Sequence, residues 1–220
     1  MIIKGLIFDF DGLILDTETP DVMAWLKIYK KHGQNFNFGD YALSIGTIYR
    51  MTEPALDLQR LVPGLNAEEV FNEWTELERL LIKDQIVLPG VIEYLQTAKT
   101  LNIKVAIASS SEKSWVVGHL EQHGIREYFD FIHTVDETGI PKPDPALYQM
   151  ALKSLRLSPN EVIAFEDSTN GISAAKSAGI FCVSVPNPIT KYLDLNNADL
   201  ILDSLASLPL QELLVRFKLK

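Results

Sequence analysis

Short runs of apolar residues alternate along the chain with longer stretches in which apolar positions recur at helical spacing. The clearest runs cover residues 3–8, 105–108, 162–165 and 181–185, and weaker ones cover 129–134 and 200–202. Runs of this length are typical of strands buried on both faces of a parallel sheet. Helical patterns separate them at about 91–101, 113–124, 145–156, 169–178 and 204–217. This alternation predicts an α/β fold with a doubly wound parallel sheet.

About 95 residues separate the first two apolar runs, whereas one crossover helix needs only about a dozen. Helical patterns fill this interval at 20–32, about 38–45, about 51–61 and 67–83. The last of these has apolar side chains at helical spacing, namely Val70, Phe71, Trp74, Leu77, Leu80 and Leu81. We therefore predict a small α-helical cap domain over residues 16–87, inserted after the first strand. Residues 1–15 and 88–220 would form the α/β core domain.

Composition and charge narrow the class of protein. With 220 residues the chain can bury a large core, and its one cysteine rules out a disulfide within the chain. A net charge of −9 disfavours binding to a nucleic-acid backbone. No window approaches the ~20 apolar residues of a membrane helix, and Asp9 and Asp11 interrupt the apolar N-terminus. We expect a cytoplasmic protein that binds neither nucleic acid nor membrane.

Polar residues follow four of the predicted strands at the points where those strands end. In chain order they are Asp9 and Asp11, then Ser109–Ser111, then Lys142 within a loop, and then Glu166 and Asp167. Open α/β sheets bind ligands beyond the carboxyl ends of their strands, so these side chains should meet at one edge. Taken singly, each has a structural explanation such as a turn, a helix cap or an exposed lysine. Their joint occurrence favours one reaction site.

The residue types indicate which chemistry that site would support. Carboxylates crowded together repel one another unless a cation joins them, and oxygen ligands suit Mg²⁺. A lysine and a hydroxyl beside Mg²⁺ indicate that phosphate is the bound anion. One carboxylate could act as a nucleophile and form an aspartyl phosphate. A second, two residues further on, could protonate the leaving oxygen and later activate water.

The same residues resemble the motifs of a known family, the haloacid dehalogenase superfamily. The segment D-F-D-G-L-I-L-D-T at residues 9–17 resembles its first motif. Ser109, Lys142 and the pair Glu166-Asp167 resemble its second, third and fourth motifs. In detail the chain is similar to the branch of phosphoglycolate phosphatases, β-phosphoglucomutases and related sugar-phosphate phosphatases. The resemblance implies a Rossmann-like core, a helical cap and Mg²⁺ as cofactor.

The resemblance also implies a role for each acidic residue. Asp9 would be the nucleophile and a Mg²⁺ ligand. Asp11 would be the general acid and base, and its backbone carbonyl would bind the metal. Asp167 would be the remaining protein ligand, and Glu166 would lie near the metal, through water. The dehalogenases that gave the superfamily its name lack the second aspartate, so Asp11 favours phosphoryl transfer over carbon–halogen cleavage.

Phosphate and substrate contacts are implied in the same way. Ser109 would donate a hydrogen bond to the transferred phosphoryl group, with Ser110 beside it, and Lys142 would balance the charge on Asp9 and the phosphate. The cap would close over the site, exclude water and select the leaving group. The candidate substrate contacts in the cap are Glu18, Gly46, Thr47 and Arg50.

For some of these cap residues the sequence also allows a role other than substrate contact. Residues 44–47 resemble the specificity loop of the family's cap, which is why Gly46 and Thr47 are included. Arg50 is a second anion contact or a plain surface residue. For Thr17, Glu18 and Asp21 the alternative is a solvated helix start. Trp25, Trp74 and Trp115 are interpreted as packing residues rather than as a surface that stacks on a ligand.

A missing histidine distinguishes two reactions within this branch. β-Phosphoglucomutases have a histidine where the chain enters the cap, aligned here with Asp21 or a close neighbour. This sequence has none between Asp9 and Lys31, and its first histidine is His32. The absence favours transfer of the phosphoryl group to water.

The leading hypothesis is therefore a Mg²⁺-dependent phosphatase acting on a small phosphorylated metabolite, as a monomer or weak dimer. The first alternative is a phosphomutase of the β-phosphoglucomutase type. The second is a non-enzymatic phospho-acceptor switch, which would also place an aspartate, a hydroxyl and a lysine at strand ends. Asp11 and the helical insertion argue against that switch.

Overall fold

A parallel sheet of six strands forms the centre of the computed structural model, which describes residues 2–46 and 52–218. The strands are β1 (Gly5–Phe8), β2 (Lys104–Ser109), β3 (Phe131–Thr134), β4 (Val162–Glu166), β5 (Phe181–Ser184) and β6 (Leu200–Ile201). They lie in the order β3-β2-β1-β4-β5-β6, and every neighbouring pair is parallel. The chain thus winds outward from β1 to one side and then from β4 to the other. This confirms the predicted doubly wound α/β fold.

Helices cover both faces of the sheet because the strands alternate their apolar side chains. The core helices are α5 (Val91–Thr100), α6 (Lys113–Gln122), α7 (Val135–Thr138), α8 (Ala146–Leu155), α9 (Thr169–Ser177) and α10 (Leu210–Lys218). Leu6 and Phe8 of β1 pack into the cluster that contains residues of α5, α6 and α10. Ile7 points to the other face and packs with residues of α8 and α9. Buried strands between two helical layers explain the unbroken apolar runs in the sequence.

One predicted core helix is divided in two. The pattern at 204–217 becomes a 3₁₀ turn at Leu205–Ser207 followed by α10. Pro209 separates them, since proline lacks the N–H needed to continue a helix but is well suited to its start. The Pro209 carbonyl accepts hydrogen bonds from the backbone N–H groups of Glu212 and Leu213.

Between β1 and α5, the described residues form four helices, as predicted. They are α1 (Glu18–Lys31), α2 (Phe38–Ala42), α3 (Glu53–Leu61) and α4 (Ala67–Ile82). They share an apolar cluster of their own, in which Trp25 stacks on Trp74 with ring centroids 5.2 Å apart. A separate cluster suits an inserted cap, and the domain boundaries at 15/16 and 87/88 stay predictions. None of the helices formed by the described residues combines the length and the apolar character that a membrane span requires.

The chain enters and leaves this helical segment at adjacent points. Leu15 forms an isolated antiparallel bridge with Val87, and the backbone N–H of Leu88 donates to the carbonyl of Ile14 over 2.9 Å. The two crossings therefore lie side by side, directly after the segment that carries Asp9 and Asp11.

Candidate active site

The carboxyl ends of β1 and β4 place three acidic side chains together. β1 and β4 are neighbours with Phe8 paired to Phe165, so the residues that follow them emerge at the same edge. Asp9, Glu166 and Asp167 are all buried and each offers a carboxylate oxygen within 4.8 Å of the others. The strands on either side of this point wind in opposite directions, which is where ligands bind in such sheets. The structure therefore brings these three predicted site residues together.

A single buried lysine joins two of these carboxylates. Nζ of Lys142 lies 2.5 Å from Oδ1 of Asp9 and 2.6 Å from Oε1 of Glu166. The loop between α7 and α8 carries this lysine, and its Lys142–Pro143 peptide bond is cis. Burial by itself would lower the pKa of the ammonium, but attraction to Asp9 and Glu166 raises that pKa above its ordinary value. Lys142 is therefore charged at neutral pH.

One ammonium does not balance the negative charge at the site. Burial, followed by repulsion from Glu166, raises the pKa of Asp9 to about 8, although Lys142 opposes the shift. The pKa of Asp167 is also raised, first by burial and then by repulsion from Asp9 and Glu18. Raised carboxylate pKa values show that the protein groups by themselves do not stabilise all of this negative charge. The imbalance calls for another cation.

A divalent cation fits the same residues by its donor chemistry. Oε2 of Glu166 is buried and has no hydrogen-bond partner in the part of the chain that the structure describes. Asp9, Glu166 and Asp167 each place one carboxylate oxygen within 4.8 Å of the others, so the donor set is made of oxygen, as Mg²⁺ prefers. The side chain of Asp11 lies outside this group, and the donor role expected of its backbone carbonyl stays a prediction.

Asp11 instead directs its carboxylate toward the start of α6. Ser111 Oγ donates to Oδ2 over 2.5 Å, and Nε1 of Trp115 donates to Oδ1 over 2.9 Å. Trp115 packs against the core, as predicted, and its indole N–H also contacts a predicted catalytic side chain, which sequence reasoning missed. The sequence signal for this contact was the position of Trp115 in the first turn of the helix that follows β2. That turn begins at the same edge of the sheet as the acidic residues.

The two predicted phosphate-binding serines are buried at the end of β2. Ser109 Oγ accepts a hydrogen bond from the backbone N–H of Ser111 over 3.0 Å. Ser110 Oγ accepts from the backbone N–H of Lys142 over 3.1 Å and so ties the lysine loop to β2. In both bonds the serine is the acceptor, which leaves the O–H group to donate to an anionic oxygen.

Asn187, which sequence reasoning missed, holds Asp167 of the fourth motif in place. Its Nδ2 donates to Oδ2 of Asp167 over 2.8 Å and to the Gly12 carbonyl over 3.2 Å. Its Oδ1 accepts from two backbone N–H groups three residues or fewer away, which fixes the amide. Asn187 follows β5, next to β4 in the sheet, so the rule that identified the other strand ends also applies to it.

Gly12 is required by this arrangement. Its φ is +74°, a conformation that costs glycine little. A Cβ atom at this position would lie 2.3 Å from Oδ2 of Asp167 and 2.5 Å from Nδ2 of Asn187. The first motif therefore needs glycine both for its backbone turn and for the space that the Asp167 carboxylate occupies.

Sequence reasoning also missed Tyr148, which contacts Glu166 at the buried floor of the site. Its hydroxyl donates to Oε1 of Glu166, and Nζ of Lys142 lies 5.4 Å from the centre of its ring. Burial and the charge of Glu166 raise the tyrosine pKa well above its ordinary value, so the phenol keeps its proton. At Gly171 in α9, a Cβ atom would lie 1.8 Å from Oε2 of Glu166. Glu166 is thus enclosed from two sides.

Where the chain enters the cap, two acidic side chains are buried. Glu18 and Asp21 are each 2% exposed, so the alternative of a solvated helix start is wrong. The Tyr41 hydroxyl donates to Oδ2 of Asp21 over 2.5 Å. Glu18 lies near enough to Asp167 to raise the pKa of that carboxyl. The cap therefore contributes negative charge to the region that faces the strand ends.

The predicted specificity loop lies partly in the described structure. Gly46 has a φ of +82°, and a Cβ atom there would lie 2.6 Å from Oγ of Ser168. Asn170 Nδ2 donates to the carbonyl of Ile45 over 2.7 Å, which joins this loop to the start of α9. Gly46 is thus at the seam between cap and core. Thr47 and Arg50 lie outside the described residues.

Comparison with known proteins gives consistent matches over most of the chain. A sequence model of haloacid dehalogenase-like hydrolases matches residues 6–185. The protein YhcW of Bacillus subtilis strain 168 is 42% identical over 212 residues, and the match covers 96% of each chain. YhcW is named as a phosphatase. A phosphorylated carbohydrates phosphatase of Thermotoga maritima is 31% identical over 181 residues, covering 80% of this chain and 82% of that protein.

A solved structure shares the arrangement in space. The crystal structure of a β-phosphoglucomutase from Clostridium difficile superposes with a TM-score of 0.76 at 30% sequence identity. The superposition covers 99% of this chain and 98% of the mutase. The likeness therefore includes both the sheet and the helices inserted after β1.

Proposed function

This chain belongs to the haloacid dehalogenase-like hydrolase family, and from that premise we propose that it is a Mg²⁺-dependent phosphatase working through an aspartyl phosphate on Asp9. Its relatives are named as phosphatases, which makes it a phosphoric monoester hydrolase. One observation supports Mg²⁺ dependence and an aspartyl phosphate in particular. It is the buried contact of Lys142 with both Asp9 and Glu166, with Asp167 beside them. Such a cluster suits a phosphoryl group and one divalent cation better than any apolar ligand.

In the first step Asp9 is the nucleophile. Lys142 holds Oδ1 of Asp9 at 2.5 Å and orients the carboxylate. A carboxylate oxygen of Asp9 attacks phosphorus, the bond from phosphorus to the ester oxygen breaks, and that oxygen takes a proton from Asp11. The products of this step are the free alcohol and a phosphoryl group bonded to Asp9.

In the second step water replaces the aspartate. Asp11, now without its proton, accepts one from a water molecule, whose oxygen attacks the same phosphorus. The bond between phosphorus and Asp9 breaks, which regenerates the Asp9 carboxylate and the protonated Asp11. Inorganic phosphate then leaves.

The remaining site residues bind and balance charge. Ser109 and Ser110 would donate hydrogen bonds to the phosphoryl oxygens. Side-chain oxygens of Asp9 and Asp167, the Asp11 carbonyl and Glu166 through water would hold Mg²⁺. When bound, the cation offsets the negative charge that the phosphoryl group brings to these carboxylates.

A small phosphorylated metabolite of the sugar phosphate or phosphoglycolate class is the proposed substrate, and the acidic residues of the cap favour the sugar phosphates. Glu18 and Asp21 are buried carboxylates at the cap entrance, and carboxylates accept hydrogen bonds from sugar hydroxyls. The T. maritima relative is named for phosphorylated carbohydrates, which supports the same class. Thr47, Arg50 and Gly46 stay predicted contacts. The monomeric or weakly dimeric state and the cytoplasmic location also stay predictions.

The test is phosphate release from p-nitrophenyl phosphate and a panel of sugar phosphates and phosphoglycolate, with Mg²⁺ and then with EDTA. We expect turnover that requires Mg²⁺ and that Asp9→Asn abolishes. Release that EDTA leaves unchanged, or an Asp9→Asn variant as active as wild type, contradicts the proposal. Ranking compounds by kcat/KM identifies the substrate class.

Phosphomutase activity is the second candidate, because the C. difficile mutase shares 30% of its sequence and nearly the whole fold. The absence of a histidine between Asp9 and Lys31 argues against it. Asp21, which aligns near the mutase histidine, is already hydrogen-bonded to Tyr41. NMR of β-glucose 1-phosphate with the enzyme decides, since isomerisation faster than phosphate release would establish a mutase.

A further inference from the structure

We propose that Trp115 and Ser111 are positioning residues that set the orientation of the Asp11 carboxyl group for proton transfer to the leaving oxygen. The proposal rests on the proposed phosphatase function and deepens it. None of the four sequence motifs includes Trp115, so the motif set gives it no role.

Two hydrogen bonds fix the carboxyl group from one side. Trp115 Nε1 donates to Oδ1 over 2.9 Å, and Ser111 Oγ donates to Oδ2 over 2.5 Å. Both donors follow β2 within six residues of Ser109, and the Ser111 backbone N–H contacts Ser109 Oγ over 3.0 Å. Hydrogen bonds through Ser111 therefore connect the Asp11 carboxyl group to Ser109, the serine that is predicted to bind the phosphoryl group.

Packing holds the indole ring in place. His119, one turn further along α6, packs edge-on against Trp115 with centroids 4.4 Å apart. The same imidazole stacks on Phe10 at 6.2 Å. Phe10 lies between Asp9 and Asp11 in the chain, so the three rings connect α6 to the loop that carries both aspartates. A ring held in this way can fix the direction of its N–H group.

The two donors are not equivalent, and the difference assigns a role to each carboxyl oxygen. An indole N–H only donates, so Oδ1 is always an acceptor while Trp115 faces it. A serine hydroxyl both donates and accepts, so Ser111 can face Oδ2 with or without a proton on that oxygen. Oδ2 is therefore the oxygen that gives the proton to the leaving group, and Trp115 determines this by occupying Oδ1.

Leaving-group dependence separates positioning from general damage. Phenolate is a stronger base than p-nitrophenolate, so phenyl phosphate depends more on a proton donor than p-nitrophenyl phosphate does. For Trp115→Phe we expect kcat/KM on phenyl phosphate to fall about tenfold further than on p-nitrophenyl phosphate. Ser111→Ala should behave similarly, and Ser111→Thr, which keeps a hydroxyl, should resemble wild type. An equal fall on both esters, or a gain on phenyl phosphate, overturns the proposal.

A matched control is available in the cap. Trp25 is buried, and its indole N–H has no hydrogen-bond partner within the described residues. Trp25→Phe makes the same chemical change away from Asp11, so it should leave the ratio of the two kcat/KM values unchanged. The ratio does not depend on the fraction of folded enzyme, which removes loss of stability as an explanation.

A spectroscopic measurement tests the contact without any turnover. The indole N–H resonance of Trp115, assigned by its loss in Trp115→Phe, should move upfield in Asp11→Ala as the carboxylate acceptor disappears. The indole resonance of Trp25 should not move. An unmoved Trp115 resonance overturns the proposal even if the protein is a phosphatase. A protein that releases no phosphate yet shows the shift contradicts the proposed function while leaving the contact established.

Discussion

The ammonium nitrogen of Lys142 lies 2.5 Å from Oδ1 of Asp9, and both side chains are almost entirely buried. The two residues are 133 positions apart in the sequence and are carried by a strand end and a loop. Glu166 completes the contact from a third element at 2.6 Å. The predicted nucleophile is therefore oriented by a charge that the fold, rather than the local sequence, brings to it.

Replacing Lys142 with methionine should disable the site and destabilise the protein. The substitution keeps most of the side-chain volume but leaves buried carboxylates without their cation, which costs about 3 kcal/mol or more. We expect kcat to fall roughly 100-fold or more, because phosphoryl transfer depends on such charge stabilisation. Urea unfolding and phosphate release measure the two effects.

The matched control is Lys31→Met, which breaks the exposed ion pair with Glu73 at 2.8 Å. Such a surface pair contributes only about 0–1 kcal/mol, so stability and kcat should hardly change. Equal effects of the two substitutions would mean that the buried charge of Lys142 has no special role.

Without metal, the stability of the protein should fall as the pH rises from about 4 to about 8. Burial and Glu166 raise the pKa of Asp9 from 3.8 to about 8, so the folded state retains a proton that the unfolded chain has released. Stability decreases with pH wherever the folded state binds more protons. Asp167, whose pKa is also raised, acts in the same direction.

Urea unfolding in EDTA at several pH values measures this slope. Asp9→Asn should flatten it, because the amide does not titrate. Mg²⁺ should restore stability most at the higher pH, where the carboxylates are ionised and can bind it. A metal-free wild type whose stability rises steadily between pH 5 and 8 would contradict the raised pKa of Asp9.

Gly12→Ala should remove metal binding and activity. Its Cβ atom would lie 2.3 Å from Oδ2 of Asp167, so either that carboxylate or the Gly12 backbone must move. We expect roughly 100-fold lower kcat/KM and weaker Mg²⁺ affinity by calorimetry. Gly33→Ala is the control: its φ is +68°, but nothing lies within 4 Å of the added atom. It should cost about 1 kcal/mol of stability and leave Mg²⁺ binding intact.

Periodicity and strand-end logic were enough to predict the sheet, the helical insertion and the meeting of Asp9, Glu166 and Asp167. Those features depend on local apolar patterns and on one topological rule. The burial of Glu18 and Asp21 was not predictable in this way. Charged residues at a helix start are usually solvated, and only the packing of the cap against the core shows that these are enclosed.

Trp115 and Tyr148 illustrate a second reason for the missed residues. Each is an amphipathic aromatic residue on a helix that begins near the carboxyl ends of the strands. In the sequence, its position among the apolar residues of that helix is that of a packing residue. What gives each a role is the direction of one N–H or O–H group, which depends on helix rotation and side-chain rotamer. Asn187 differs, because it follows β5 and the same strand-end rule applies to it.

Tyr148→Phe should slow catalysis through Glu166. The substitution removes the hydroxyl that donates to Oε1 of Glu166 and leaves Lys142 as the partner of that oxygen. Loss of a hydrogen bond to a charged group costs about 1.5–3 kcal/mol, and we expect kcat to fall roughly tenfold because Glu166 also shares Lys142 with Asp9. Tyr94→Phe removes an equally buried hydroxyl that donates to the Leu208 carbonyl over 2.6 Å. It should lower stability without lowering kcat. If both variants lose stability and neither loses kcat, Tyr148 serves only packing.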